Sequence, residues 1–130
     1  MQVLLPAGWP RPKGYSNGVA ARGRQVFIAG MVGWDAAGVF AGADFASQAR
    51  KALQNIVDVL REAGAEPEHI VRMTWYVTNK REYLDAGRDV GQAFREIIGC
   101  YNAAMTAVEV TALMEDNAKV EIEATAVIPD

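Results

Sequence analysis

Few side chains in this sequence could do chemistry. His69 is the only histidine and Cys100 the only cysteine, which excludes an internal disulfide and a metal site built on several histidines. A Ser-His-Asp triad would have to use His69, which directly precedes an apolar segment and is predicted to lie at the surface. No glycine-rich phosphate loop is present. The candidates that remain are carboxylates and arginines.

Glu121 and Glu123 are carboxylates of one predicted strand. Over residues 119–128 apolar side chains alternate with others, which is typical of a strand with one buried face. Both glutamates fall on the face opposite to Val120 and Ile122. A carboxylate can orient or deprotonate a water molecule, and a solvated strand glutamate is the alternative interpretation.

Length and composition favour one globular domain over residues 1–130. The formal net charge of −3 and the lack of a basic stripe give no reason to expect nucleic-acid binding. The first residues lack the basic region that opens a signal peptide, and no apolar run has the length of a membrane span. We therefore expect a cytoplasmic protein that works without a metal, a cofactor or a membrane partner.

Two predicted helices and a set of strands must position these side chains. Asp44 and Gly64 bound the first helix as N-cap and C′ residue, and the second helix is predicted over about 82–98. The residues just before the turn at 21–24 are expected to pair with the strand that follows. Strands are predicted over residues 25–30, 70–77, 106–113 and 119–128.

This element order predicts an α+β fold with a single sheet and two helices packed on one face. The sheet face without helices would carry apolar side chains, namely those of Val26, Ile28, Trp75 and Val77 or their neighbours. Because such a face must be covered from water, this pattern favours oligomerisation.

Several segments, taken in chain order, match the pattern of one known family. They are Gly14-Tyr15-Ser16-Asn17, the strand end Val26 to Met31, the helix segment Gln48 to Ile56 with its Ala63-Gly64 exit, and Val108-Glu109-Val110 followed by Lys119 to Val127. This set resembles the reactive-intermediate-deaminase (Rid) family, also called YjgF-type or endoribonuclease L-PSP. The resemblance covers nearly the whole chain.

The resemblance implies a Rid-type, chorismate-mutase-like fold with a mixed sheet. It also implies a homotrimer with a central barrel-like core and one small-molecule cleft at each subunit interface. In the deaminase branch of the family, an arginine on the Val-Glu-Val strand grips a substrate carboxylate. A glutamate on the last strand positions the water that attacks an imine carbon, and ammonia is released.

Carried over to this chain, the resemblance gives Glu121 the water-positioning role and places Met105 where the arginine is expected. Met105 cannot donate a hydrogen bond or neutralise a carboxylate. Each charge-assisted hydrogen bond is worth about 1.5–3 kcal/mol, so an α-imino acid would lose roughly tenfold to a hundredfold or more in affinity. Arg88, which falls where the family has a pocket asparagine, is a candidate replacement cation. The alternative is an exposed helix arginine that pairs with Asp85.

The resemblance assigns the other cleft residues as well. Compared with the family pattern, an apolar Ala29 replaces serine and Met31 replaces glutamine, so the cleft is expected to be more apolar and less anion-binding. The predicted substrate-binding residues are Tyr15, Gly30, Met31, Arg88, Met105, Thr106 and Ala107, with Ala107 standing where some members carry a cysteine.

Three functions follow as hypotheses. The first is hydrolysis of a small enamine or imine with Glu121 as the catalytic residue. A backbone N–H near residues 106–108 would polarise the substrate. The second is non-catalytic binding or sensing of an apolar or aromatic metabolite in the interface cleft. The third is ribonuclease activity, against which the acidic charge balance and the single His69 argue.

Overall fold

A four-stranded mixed sheet forms the centre of the structure, a computed structural model that describes all 130 residues. Its strand order is β3-β6-β4-β5, in which only β4 and β5 run parallel. No helix combines the length and the apolar character needed to span a bilayer. The elements are β1 (Gln2–Leu4), β2 (Gly18–Ala20), β3 (Arg24–Val32), α1 (Phe45–Glu62), β4 (Ile70–Val77), α2 (Lys80–Asp85), α3 (Gly87–Ile97), β5 (Ala104–Glu109) and β6 (Val120–Ile128).

Helix α1 begins and ends where the local sequence signals predict. The Asp44 carboxylate accepts a hydrogen bond from the Ser47 N–H at 3.0 Å, and the bonds from Ser47 lower the pKa of Asp44. At the other end Gly64 takes a φ of 74°, a left-handed conformation that glycine adopts without steric cost. Between these caps the helix buries one apolar face against β3 and β6.

The prediction of one long second helix is wrong. The segment consists of α2 and α3, separated at Ala86, whose φ of −86° and ψ of 7° leave the helical region. The helix also starts earlier than predicted, because the Asn79 side chain caps it by accepting from the Glu82 N–H at 2.9 Å. Gly87, a poor helix former, opens α3. The predicted apolar stripe still packs against the core, including Tyr83, Ala86 and Val90.

Two strand predictions also differ from the structure. Strand β2 pairs with β1 rather than with β3, forming a separate two-stranded sheet. Gly23 lies between β2 and β3 and packs closely against the end of β6. A Cβ atom at this position would overlap the Ile128 carbonyl. The strand predicted over 106–113 runs from Ala104 to Glu109 instead, because only those residues face a partner on β4.

The helices cover one face of the sheet and leave the other open. Ile28, Trp75 and Val77 are buried in the core on the helix side. Their neighbours therefore occupy the open face, as the alternation of a strand requires. Phe27 is 72% exposed there, and charged residues lie beside it. The open face thus combines an exposed aromatic ring with the glutamates of β6.

Gln48 joins α1 to the loop that precedes β6. It is 1% exposed. Its amide nitrogen donates to the carbonyls of Gly42 and Asn117, each at 3.0 Å. Its amide oxygen accepts from the Lys119 N–H at 2.8 Å. All three bonds go to backbone groups, so this one side chain fixes how β6 enters the sheet.

We expect Gln48→Leu to lower the free energy of unfolding by about 2–4 kcal/mol, because it leaves three backbone groups without partners. Urea unfolding at a fixed protein concentration measures the change. Gln54 of the same helix bonds only to Asp58, so Gln54→Leu should stay within about 0.5 kcal/mol of wild type. Equal effects of the two substitutions would contradict this role for Gln48.

Candidate functional site

The Glu121 carboxylate lies over Gly30 on the open face of the sheet. β3 and β6 pair antiparallel, and the register shifts between Ile28 and Met31, so Gly30 lies in an irregular stretch of β3. A Cβ atom built on Gly30 would overlap Glu121 Oε2. Glycine at position 30 is therefore what allows the carboxylate to occupy this place.

The two glutamates of β6 have different surroundings. The Tyr76 hydroxyl donates a hydrogen bond to Glu123 Oε1 at 2.7 Å, and this bond raises the pKa of Tyr76. Glu121 is also half-buried, yet its carboxylate accepts no hydrogen bond from another side chain or from the backbone. Its lone pairs are free to accept from water or from a ligand.

Met105 and Glu121 lie on opposite faces of the sheet. Met105 pairs in register with Met73, which is fully buried, and it packs against the same core. Glu121 pairs with Tyr76, three residues farther along β4 and hence on the other face. The two positions cannot line one cleft within a single chain.

The remaining positions of β5 divide between the two faces in the same way. Thr106 pairs with Thr74, which places it on the face that carries the glutamates. Ala107 pairs with Trp75 and lies on the helix side. The buried Trp75 indole N–H has no hydrogen-bond partner.

Tyr15 and Met31 lie apart from Glu121. Tyr15 is 39% exposed, and the next residue, Ser16, donates its N–H to the Ala103 carbonyl at 3.0 Å. Tyr15 therefore lies near the start of the edge strand β5. Met31 packs against the core, away from the open face.

Arg88 lies in the first turn of α3 and is exposed. Its guanidinium forms no salt bridge, so the expected pair with Asp85 is absent. The charge of Arg88 is unpaired in the single chain.

Five surface pockets of the single chain have well-defined linings, and none of these linings contains a predicted site residue. One pocket on the open face has a volume of about 210 Å³ and lies beside Glu123, Thr74 and Phe27. A cleft that contained both Glu121 and Met105 would need a second copy of the chain.

The Tyr76–Glu123 pair is the part of this region that the sequence did not reveal. Alternation placed Glu121 and Glu123 on one face, but it could not show which of the two carboxylates has a hydrogen-bond partner. That difference depends on β4 being the neighbour of β6, and no local signal encodes this pairing.

Comparisons with known proteins agree with this architecture. Residues 10–128 match the family model described as endoribonuclease L-PSP. A RutC family protein of Pyrococcus horikoshii is 31% identical over 127 residues, which is 96% of each chain. A RutC family protein of Synechocystis is 31% identical over 132 residues, covering 99% of this chain and 98% of the relative.

Solved structures also match the fold of this chain. The Rid family protein YyfB of Yersinia pestis has a TM-score of 0.85 at 35% identity, with 98% of both chains covered. Escherichia coli TdcF, whose crystal structure contains bound serine, has a TM-score of 0.72 at 29% identity, covering 98% of this chain and 99% of TdcF. The fold and the sequence together show that this chain belongs to the Rid family, also named YjgF or endoribonuclease L-PSP.

Proposed function

We propose that three copies of the chain form a homotrimer that hydrolyses a small reactive enamine or imine in clefts between its subunits, with Glu121 as the catalytic residue. The observation that carries this proposal is the half-buried Glu121 carboxylate, which no protein group engages. A carboxylate in that state can hold and deprotonate a water molecule.

The chemistry needs one water molecule and no cofactor. As the water oxygen bonds to the imine carbon, Glu121 takes one water proton and passes it to the imine nitrogen, which gives a neutral carbinolamine. Glu121 then takes the proton of the carbinolamine hydroxyl and delivers it to the nitrogen as the C–N bond breaks. Ammonia leaves, a carbonyl compound remains and Glu121 is again a carboxylate. An enamine substrate first tautomerises to the imine and then reacts by the same steps.

The placement of the cleft between subunits is supported by the positions of Met105 and Glu121. They lie on opposite faces of one sheet, so a cleft lined by both needs residues of two chains. The bound serine of TdcF, a relative with 29% identity, supports a metabolite of similar size. Gly30, Tyr15 and Thr106 are proposed to line the same cleft.

Polarisation of the imine is assigned to the backbone of β5. This strand is at the edge of the sheet, and beyond its bridge to Ser16 at Ala104 alternate N–H groups of residues 106–109 point away from β4 and lack a ladder partner. Such donors stabilise developing charge without adding a positive charge. Ala107, with its small side chain, leaves this edge open.

The substrate we propose is less acidic than an α-imino acid, or bulkier and more apolar. Met105 is apolar where the resemblance expects an arginine, so this position offers no charge to a substrate carboxylate. Arg88 is the remaining cation to consider, because its guanidinium has no partner in the single chain.

A second candidate function is non-catalytic binding of an apolar metabolite in the same cleft. The residue type at position 105 favours it, since methionine can contact a metabolite but has no charge with which to polarise it. This reading predicts saturable binding with no product.

An assay with freshly generated imines, both charged and apolar, distinguishes imine hydrolysis from non-catalytic binding. We expect purified trimer to accelerate ammonia release from the apolar imines above the uncatalysed rate, and from the charged α-imino acids more weakly. Light scattering checks the trimer, and a single-stranded RNA incubated in parallel tests for ribonuclease activity. Binding without acceleration for any imine would replace the enzymatic proposal with the binding one.

A further inference from the structure

Tyr76 and Glu123 form a side-chain pair that the proposed mechanism does not use. Tyr76 lies on β4 directly opposite Glu121 of β6, yet its hydroxyl donates to Glu123 Oε1 at 2.7 Å. This bond runs diagonally across the two strands, a distance that long side chains reach. Tyr76 therefore engages one glutamate while it lies beside the other.

Few charged groups surround this pair. Besides the two glutamates, the charge of Arg72 on β4 acts on Tyr76. The hydrogen bond that Tyr76 donates to Glu123 is the largest cause of the raised pKa of Tyr76, and burial and the charge of Glu121 act in the same direction. The raised pKa keeps the Tyr76 hydroxyl a neutral hydrogen-bond donor. The neighbouring side chains on this face from β3 and β5 are uncharged: Phe27, Ala104, Thr106 and Val108.

We infer that Tyr76 is a positioning residue that holds the Glu123 carboxylate away from Glu121, so that Glu121 is the single free carboxylate at this face. The inference rests on the proposed function of Glu121. Without the Tyr76 hydroxyl, Glu123 would be free to turn toward Glu121. Repulsion between two neighbouring carboxylates favours the protonated form of one of them up to a higher pH. A protonated Glu121 cannot act as a base.

The rate profile against pH tests this inference. Tyr76→Phe should move the acid limb of kcat/KM up by about half a pH unit or more, which is roughly a threefold loss at acidic pH with little loss at pH 9. The double variant Tyr76→Phe/Glu123→Gln should regain the wild-type limb, because the second charge is gone. A loss that is equal at every pH, or one that the second substitution does not rescue, would overturn the inference.

A titration without substrate keeps the test independent of turnover. In protein labelled with ¹³C at the glutamate carboxyl carbons, the signal missing from Glu121→Gln identifies Glu121. Its titration midpoint should rise by about half a pH unit in folded Tyr76→Phe and return in the double variant. An unchanged midpoint would sink the inference. Failure of the proposed function shows differently, as full activity of Glu121→Gln or as no acceleration by the wild type.

Discussion

Glu121→Gln should lower kcat/KM for imine hydrolysis by about 100-fold or more, the usual contribution of a positioned general base. Glutamine keeps the size and shape of the side chain but cannot take a proton from water. Because Glu121 makes no hydrogen bond to another protein group, the substitution breaks none, and the fold and assembly should be unchanged. Ammonia release with an apolar imine measures the loss.

Glu123→Gln is the matched control for this substitution. It makes the same chemical change two residues along the same face, where the amide oxygen can still accept from the Tyr76 hydroxyl. We expect kcat/KM within about threefold of wild type, the effect of a neighbouring charge that takes no part in the reaction. Equal losses in both variants would indicate a general electrostatic effect of this face. Full activity of Glu121→Gln would remove Glu121 from the mechanism.

Met105→Arg should raise kcat/KM for imines that carry a carboxylate by roughly tenfold to a hundredfold. A guanidinium can bind a carboxylate through two charge-assisted hydrogen bonds, and one of them, worth about 1.5–3 kcal/mol, already accounts for this gain. Imines without a carboxylate should gain nothing. The measurement is the ratio of kcat/KM for the charged and apolar imines, which cancels changes in the amount of folded protein.

Two features make this substitution informative. Met105 is half-buried in the edge strand β5, so the long arginine stem can pack where methionine does and carry its charge outward. Met105→Gln is the control, since it adds hydrogen-bonding capacity without charge. A ratio that stays at the wild-type value in folded Met105→Arg would mean that position 105 does not face the substrate carboxylate.

Local signals in the sequence were sufficient for some elements. The caps of α1 at Asp44 and Gly64 are fixed by residues next to them in the chain, and both were predicted. The break at Ala86 was not predicted, because helical spacing of apolar residues continues across it. The pairing of β2 with β1 also escaped prediction, since a strand pattern does not name its partner.

The sequence by itself determined which residues share a face of one element, because strand and helix periodicity act over a few residues. It placed Glu121 and Glu123 together and opposite Val120. Only the tertiary structure decided how the elements relate to each other. The order β6-β4 brings Tyr76 to Glu123 and leaves Glu121 free. The parallel register of β4 and β5 turns Met105 away from Glu121. Both follow from pairings between distant segments, which depend on how the whole core packs.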